Sequence, residues 1–391
     1  MPSLDDYRFL YEKGSYQEAY AVLRGIMENQ QCSSRSGDMY VRCAELELIL
    51  HDDVARAGEL LNEAQELGCS EMARYYNVQG YVLFRTGEID RGIQFLKKSI
   101  ELDSSITSLE TLAEVLASNH DDRTIEVCQR ILRQDHENCS AHVCLGMQAI
   151  KSGNIDEALL IAKQAQNLAT TARGFFSIGR LYRELGEYQK AVDAYSEAAR
   201  RKYEPKGPLY AAMSSCYYAM GDFTAASKFS ARAIDLNYSD DYTKDVLLWC
   251  TGEGHLDSNL DDLIEKYRDT SFVSLILAQR ALRDKTLHKA REMGIKAEGA
   301  NPSAAEMFNI AHLWKNLGDF KRALAACFKS QELGYSVEDR LCHAIADCYY
   351  SLGDYDASKR YLLKAITINP DNEQAKELLQ LVERKLEENR N

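Results

Sequence analysis

The chain has 391 residues, 45 % of them hydrophobic and 27 % charged, with 47 basic against 60 acidic residues and a net charge of -13. That balance is ordinary for a folded protein and argues against nucleic acid or an anionic membrane surface as partner, since both need a basic face. No run approaches 18 uncharged apolar residues and the start, Met-Pro-Ser-Leu-Asp-Asp, lacks a basic stretch followed by an apolar one, so neither membrane insertion nor a signal peptide is expected.

The 11 Cys are scattered singly, and Cys216, Cys327 and Cys348 fall where small apolar residues are wanted, which reads as reduced core thiols in a cytoplasmic protein. With 5 Pro and no Pro-rich or Ser/Gly-rich stretch, the chain shows no flexible linker. In chain order, Gly14-Ser15-Tyr16…Ala19 and Asp53…Ala57…Leu61…Ala64 read as second helices of divergent hairpins within 1–70. A short turn then recurs at Gly87, Gly153, Gly186, Gly221, Gly318 and Gly353, usually followed by an acidic and then an aromatic residue. The gaps are 66, 33, 35, 97 and 35 residues, which are one, two or three copies of a period near 33. A period of that size means stacked helical hairpins, expected to form one elongated body over 1–391.

The clearest unit starts with Phe175, Ile178, Gly179 and Tyr182, spaced to share one helix face. Gly186 is suited to end that helix in the left-handed conformation, and Glu187 suits the positive start of the next. Ala191, Tyr195 and Ala198 form the inner stripe of the second helix. Small residues at Gly179 and Ala191 let the two helices approach, and Tyr182 and Tyr195 fill the flanks. This unit closely resembles the tetratricopeptide repeat, W-x2-L-G-x2-Y then A-x3-F then P, with Phe175 for the Trp, Ile178 for the Leu and Ala191-x3-Tyr195 for the second half. The final Pro is absent here but stands at Pro302 and Pro370, five residues after Ala297 and Ala365.

The small first-helix position recurs at Gly80, Gly146, Gly179, Ser214, Ala278, Ala311 and Ala346, with a degenerate unit around Leu112 and Ala113. Well-matched repeats cover 71–237 and 271–372. Between them, 238–270 reads as a distorted repeat: a helix over Tyr242–Cys250, a break at Gly252-Glu253-Gly254, and a helix over Leu256–Tyr267 without the family alanines. The stretch Glu373–Glu388 is charged but for Leu378, Leu379, Val382 and Leu386, which reads as a capping helix. The expected fold is all-α, a right-handed superhelical solenoid of about 11 helix pairs with a C-terminal cap.

For chemistry, the chain holds no G-x-S-x-G, G-x-x-x-x-G-K-[ST] or H-E-x-x-H, and Gly252-x-Gly254 lacks the third glycine and preceding strand of a dinucleotide loop. A non-enzyme without cofactors is expected. His136-x2-Cys139-x2-His142-x-Cys144 packs four metal-ligating types into nine residues, too tightly for zinc-finger spacing, and reads as one core thiol with His136 and His142 on solvated helix ends. The carboxylate clamp of chaperone-binding relatives needs Lys and Asn on facing first helices. The matching positions here are Asn77 and Tyr81 with Glu110, and Phe176 and Arg180 with Ala212, so that ligand is disfavoured.

The resemblance implies that first helices line a concave groove. Two features fall there. Arg173, Arg180 and Arg183 share a helix face, with Lys151 from the preceding unit, forming a basic island suited to acidic or phosphorylated peptide or, with Glu184 and Glu187 alongside, simply a solvated face. Over Phe272–Leu282 the helix is apolar nearly all round. Val273, Ile276, Leu277 and Ala281 serve the core, leaving Phe272, Leu275 and Leu282 toward the groove, flanked by Tyr242, Val246 and Trp249 and by Phe308 and His312. The alternatives are a binding surface or a patch covered by the 250–270 segment or by a second copy of the chain as a homodimer. The expected function is a non-catalytic scaffold or adaptor holding another protein's peptide or helix at Trp249, Phe272, Leu275, Phe308 and His312, with Arg173, Arg180 and Arg183 reading acidic character; the alternative is a partner-sensing regulator acting by sequestration.

Overall fold

The computed structural model describes residues 3–13, 15–28, 36–238, 240–255 and 260–388. Among these residues are 23 α-helices and no strand. In chain order they are α1 (Leu4–Glu12), α2 (Tyr16–Glu28), α3 (Gly37–Leu50), α4 (Val54–Leu67), α5 (Met72–Arg85), α6 (Ile89–Leu102), α7 (Ile106–Ser118), α8 (Thr124–Gln134), α9 (Cys139–Lys151), α10 (Ile155–Leu168), α11 (Ala172–Glu184), α12 (Tyr188–Arg200) and α13 (Lys206–Ala219). There follow α14 (Phe223–Asp235), α15 (Asp241–Gly252), α16 (Leu260–Lys266), α17 (Ser271–Arg283), α18 (Leu287–Gly299), α19 (Ala304–Asn316), α20 (Phe320–Glu332), α21 (Glu338–Leu352), α22 (Tyr355–Ile368) and α23 (Glu373–Glu388). Paired by register they make eleven hairpins and a final single helix, as the sequence leads one to expect.

The helices fall into two compact units, Met1–Met220 and Gly221–Asn391. Within the first, each odd-numbered helix from α3 packs on the next as far as α13, and those from α3 to α11 also pack on their hairpin mates. Within the second, α15, α17, α19, α21 and α23 pack in succession, and α17, α19 and α21 also pack on their mates α18, α20 and α22. Each unit therefore carries a continuous wall of first helices, with second helices stacked behind it.

The hairpin turn is more regular than its sequence. The six turn glycines, Gly87, Gly153, Gly186, Gly221, Gly318 and Gly353, all have φ between +74° and +90°. The same left-handed geometry occurs at Asp52, His120, Gly254 and Lys285, which stand where the period predicts a turn. At Gly186 the amides of Gly186 and Glu187 donate to the carbonyls of Arg183 and Tyr182. At Lys285 the amides of Lys285 and Thr286 donate in the same way to Leu282 and Ala281. Both close the helix end by the same paired bonds that satisfy its last carbonyls. Between Gly221 and Gly318 the left-handed turn is thus still made, at Gly254 and Lys285.

The close approach at the small position is also present. A Cβ on Gly179 would lie 2.5 Å from Cε1 of Tyr195, and both Tyr195 and Tyr182 are fully buried. In the repeat read as distorted, α16 sends Leu260 and Leu263 into the second unit's core beside Leu247, Leu248 and Phe272. Residues 256–259, the start of the helix expected there, and Gly14 lie outside the described residues. At the C-terminus, Val382 is buried and Leu378, Leu379 and Leu386 are part-buried against Leu362 and Ala365, so α23 caps the last hairpin along the expected stripe.

Candidate functional site

Register determines which side chains reach the wall of first helices. The residue just after the small position is Tyr81, Glu114, Met147 or Arg180 in the first unit, and Gln279, His312 or Asp347 in the second.

In the first unit these positions converge. Arg173 Nη2 lies 3.1 Å from Glu114 Oε2, and Arg180 Nη1 lies 3.7 Å from Glu114 Oε1. One carboxylate on α7 therefore receives two guanidinium groups from α11, two hairpins along. The Glu114 charge is the main cause that raises Arg173 further above its usual value. Tyr203 stacks on Phe176 with ring centroids 4.4 Å apart, and Arg85 sits over Tyr81 at 5.8 Å. Burial raises both phenols, so they stay protonated donors at neutral pH. Arg183 and Lys151 are elsewhere engaged: Arg183 pairs with Glu184 at 2.8 Å and Lys151 with Asp122 at 3.1 Å. The expected island of three arginines and a lysine is accordingly a pair, Arg173 and Arg180, and its counter-charge is Glu114 rather than Glu184 or Glu187. Glu114 lies 59 residues from Arg173 in sequence, yet the 33-residue register that links Tyr81, Glu114 and Arg180 was the signal that could have found it.

In the second unit the expectation that Phe272 and Leu275 face an open groove is corrected. Both are buried in the core cluster, with Leu282 part-buried against it. They lie in one core with Leu247 and Leu248 of α15 and Leu260 and Leu263 of α16, and a polar bridge runs alongside. Lys244 Nζ on α15 donates to Glu306 Oε1 on α19 at 3.0 Å, and it lies 5.7 Å from the Phe272 ring centre. Asn309 Nδ2 on α19 donates to Asp245 Oδ1 on α15 at 2.6 Å. These two bonds join the helices on either side of α17. Burial raises the Asp245 carboxyl above its ordinary value. Phe308 is also buried, stacked on Tyr335 at 4.5 Å with His312 edge-on at 4.7 Å. Burial holds His312 down at about 4, with Lys315, Asp347 and His343 as its charged neighbours. Trp249 is 40 % exposed and packs edge-on to Phe223 at 4.4 Å, with His255 against the same Phe223 ring.

Of the cysteine and histidine run, His136 is exposed, Cys139 is part-buried with Sγ 3.6 Å from the Ala165 carbonyl, and Cys144 is buried beside Cys128. Among the described residues, no group of three or more His, Cys, Asp or Glu is placed to hold a metal ion, and no helix is long and apolar enough to cross a membrane.

The tetratricopeptide-repeat profile matches residues 73–106, 172–204 and 207–240, and the Fis1 C-terminal tetratricopeptide-repeat profile matches 342–389. These segments coincide with the hairpins α5–α6, α11–α12 and α13–α14 and with α21 through α23. The chain is 23 % identical over 199 residues to lipopolysaccharide assembly protein B of Escherichia coli strain K12 and of Escherichia coli O157:H7, covering 49 % of this chain and 50 % of those proteins. It thus spans about half the length of the curated relatives it matches. Among solved structures, yeast Tom70 matches with TM-score 0.45 and 11 % identity over 99 % of this chain and 95 % of that one. A monomeric mutant of IFIT1 with Gppp-AAAA matches with TM-score 0.45 and 15 % identity over 93 % and 89 %. Overlays this loose carry nothing about partners. With the period, the left-handed turns and the profile matches falling on the same hairpins, these segments are tetratricopeptide repeats.

Proposed function

We propose that the protein is a non-catalytic scaffold whose walls of first helices hold segments of other proteins. One observation carries this reading. The position facing the hairpin interior is small in most first helices (Gly80, Ala113, Gly146, Gly179, Ser214, Ala278, Ala311 and Ala346, with Leu247 on α15 the larger exception), while the very next residue, on the wall, varies in chemistry from Tyr81 and Glu114 to Arg180, Ser215, Gln279, His312 and Asp347. Packing uniformity behind a chemically varied face is what a recognition surface built on a repeat requires. In this reading Arg173 and Arg180 serve the first unit, and Trp249 and the part-buried His312 the second. Phe272, Leu275 and Phe308 support the wall from beneath instead of anchoring a ligand.

The likeness to lipopolysaccharide assembly protein B is 23 % identity over about half of each chain, so no role in that assembly is carried over. The test is affinity capture with mass spectrometry on the intact chain, run beside Arg173→Glu/Arg180→Glu and Trp249→Ala variants that retain wild-type helicity. Loss of a defined set of recovered proteins in at least one variant is expected. Identical sets in all three samples would sink the reading. Light scattering checks the homodimer alternative: a mass of one chain removes it.

A further inference from the structure

Resting on the scaffold reading, we infer that Arg173 and Arg180 form a carboxylate-binding site for an acidic side chain of a partner peptide, and that Glu114 is its internal stand-in. The geometry already shows the cradle filled. Each Glu114 oxygen faces a different guanidinium, Oε2 toward Arg173 at 3.1 Å and Oε1 toward Arg180 at 3.7 Å. Arg173 donates one hydrogen bond while Arg180 stands at ion-pair distance, and a planar two-oxygen group facing two guanidinium groups suits a Glu or Asp side chain.

The charge count is unbalanced, with two guanidinium groups on one carboxylate. The neighbouring acids are occupied: Glu110, one turn back on α7, accepts from Asn138 at 2.9 Å, and Glu184 accepts from Arg183 at 2.8 Å. A second carboxylate is therefore favoured here even in a chain of net charge -13. The site is also open, since Arg173 is 66 % exposed at its side chain and Glu114 32 %. An ion pair so exposed is weak and readily exchanged. The phenols of Tyr81 and Tyr203 border Arg173, and Phe176 backs Tyr203, so an incoming chain meets protonated donors and flat apolar rings beside the cations. Acidic residues flanked by apolar ones are the partner sequence this fits.

The test is fluorescence polarisation of a fluorescein-labelled hexaglutamate peptide on the full chain, with hexaglutamine as the neutral control. Hexaglutamate is expected to bind and hexaglutamine not to. Arg173→Ala/Arg180→Ala is expected to weaken binding about tenfold or more. Because these alanines also remove wall packing, Arg173→Lys/Arg180→Lys, which keeps the charge and loses the fork, should give an intermediate loss. Glu114→Gln should tighten binding about three- to fivefold by removing the competitor. Glu110→Gln removes the same charge from the same helix face and should change it less than twofold.

Absence of hexaglutamate binding, equal effects of the two Gln variants, or unchanged affinity in a well-folded arginine double variant overturns the inference. A phosphoserine hexapeptide binding tenfold tighter than hexaglutamate overturns the carboxylate in favour of phosphate. If hexaglutamate fails while protein capture still depends on Arg173 and Arg180, this assignment falls and the scaffold reading stands. If hexaglutamate binds as expected while capture ignores every wall variant, the scaffold reading falls instead.

Discussion

At the scale of single residues, the tightest constraint is Gly179 against Tyr195. A Cβ would sit 2.5 Å and 2.6 Å from two ring carbons of a side chain with no exposed surface, so the ring has no room to retreat. Gly179→Ala should cost roughly 1–3 kcal/mol, read as a lower urea midpoint by circular dichroism. Among the described residues the hydroxyl of the same Tyr195 is buried without a hydrogen-bond partner. Tyr195→Phe should therefore be neutral or stabilising by up to about 1 kcal/mol, whereas a hidden role for that hydroxyl would show as destabilisation. His312 gives a pH signature. Its pKa is held at about 4 by burial, below the ordinary 6.5, so the folded state keeps the ring neutral while the unfolded chain protonates. Its contribution is complete above pH 6.5, falls as pH drops toward 4, and is flat below that. Because the ring keeps some solvent contact, the loss should be about 2 kcal/mol. His343 is shifted in the same direction by burial. Denaturation series between pH 7 and 4 should show a shallower decline in His312→Asn; equal slopes would contradict the buried neutral ring.

At the scale of elements, the turn and the bridge carry distinct consequences. Lys285 holds φ +57° in the turn that Gly318, at φ +75°, makes one repeat later. A side chain in that region strains the backbone, while glycine adds freedom to the unfolded chain. The net expectation is that Lys285→Gly raises stability by about 0.5 kcal/mol and Gly318→Ala lowers it by about 1 kcal/mol, measured by thermal melting. Opposite signs at the two sites are the point of the comparison. The Lys244–Glu306 bridge is less exposed than most pairs in the chain, at 20 % and 11 % of the two side chains. Glu306→Ala leaves the Lys244 charge poorly solvated above Phe272 and should cost roughly 2 kcal/mol, whereas Lys244→Met/Glu306→Leu should recover much of it. Additive losses in the double variant would mean the bridge does not couple α15 to α19.

Across the whole molecule, stability should follow the nearest-neighbour logic of stacked hairpins. In hydrogen exchange, Gly179→Ala should reduce protection in α11 and the helices packed on it, namely α9, α10, α12 and α13, and leave α21–α23 as in wild type. Uniform loss throughout would show that the chain unfolds as one cooperative body instead. The repeat also explains why so much was legible in advance. Hairpin boundaries depend on a few local preferences: a small residue, a left-handed turn and an acidic or capping start. Asp222, Asp319 and Asp354 all accept a hydrogen bond from the amide three residues on. Where Asp52, His120 and Lys285 replaced glycine, the turn became illegible but was still made, because packing on both flanking helices imposes it.

The sequence by itself determined the all-α hairpin repeat, its eleven pairs, the capping stripe on α23 and the register that separates core from wall. These follow from periodicities a few residues long, which the chain states directly. Tertiary structure alone decided which wall residues meet. Arg173 and Arg180 share Glu114 across two hairpins, and Lys244 and Asp245 reach α19, with Lys244 over the buried Phe272. Such pairings span about 60 residues and depend on how closely successive hairpins approach. No local pattern encodes that distance, so charges read as an open basic face proved to be partly answered, and an apolar face read as open proved to be buried.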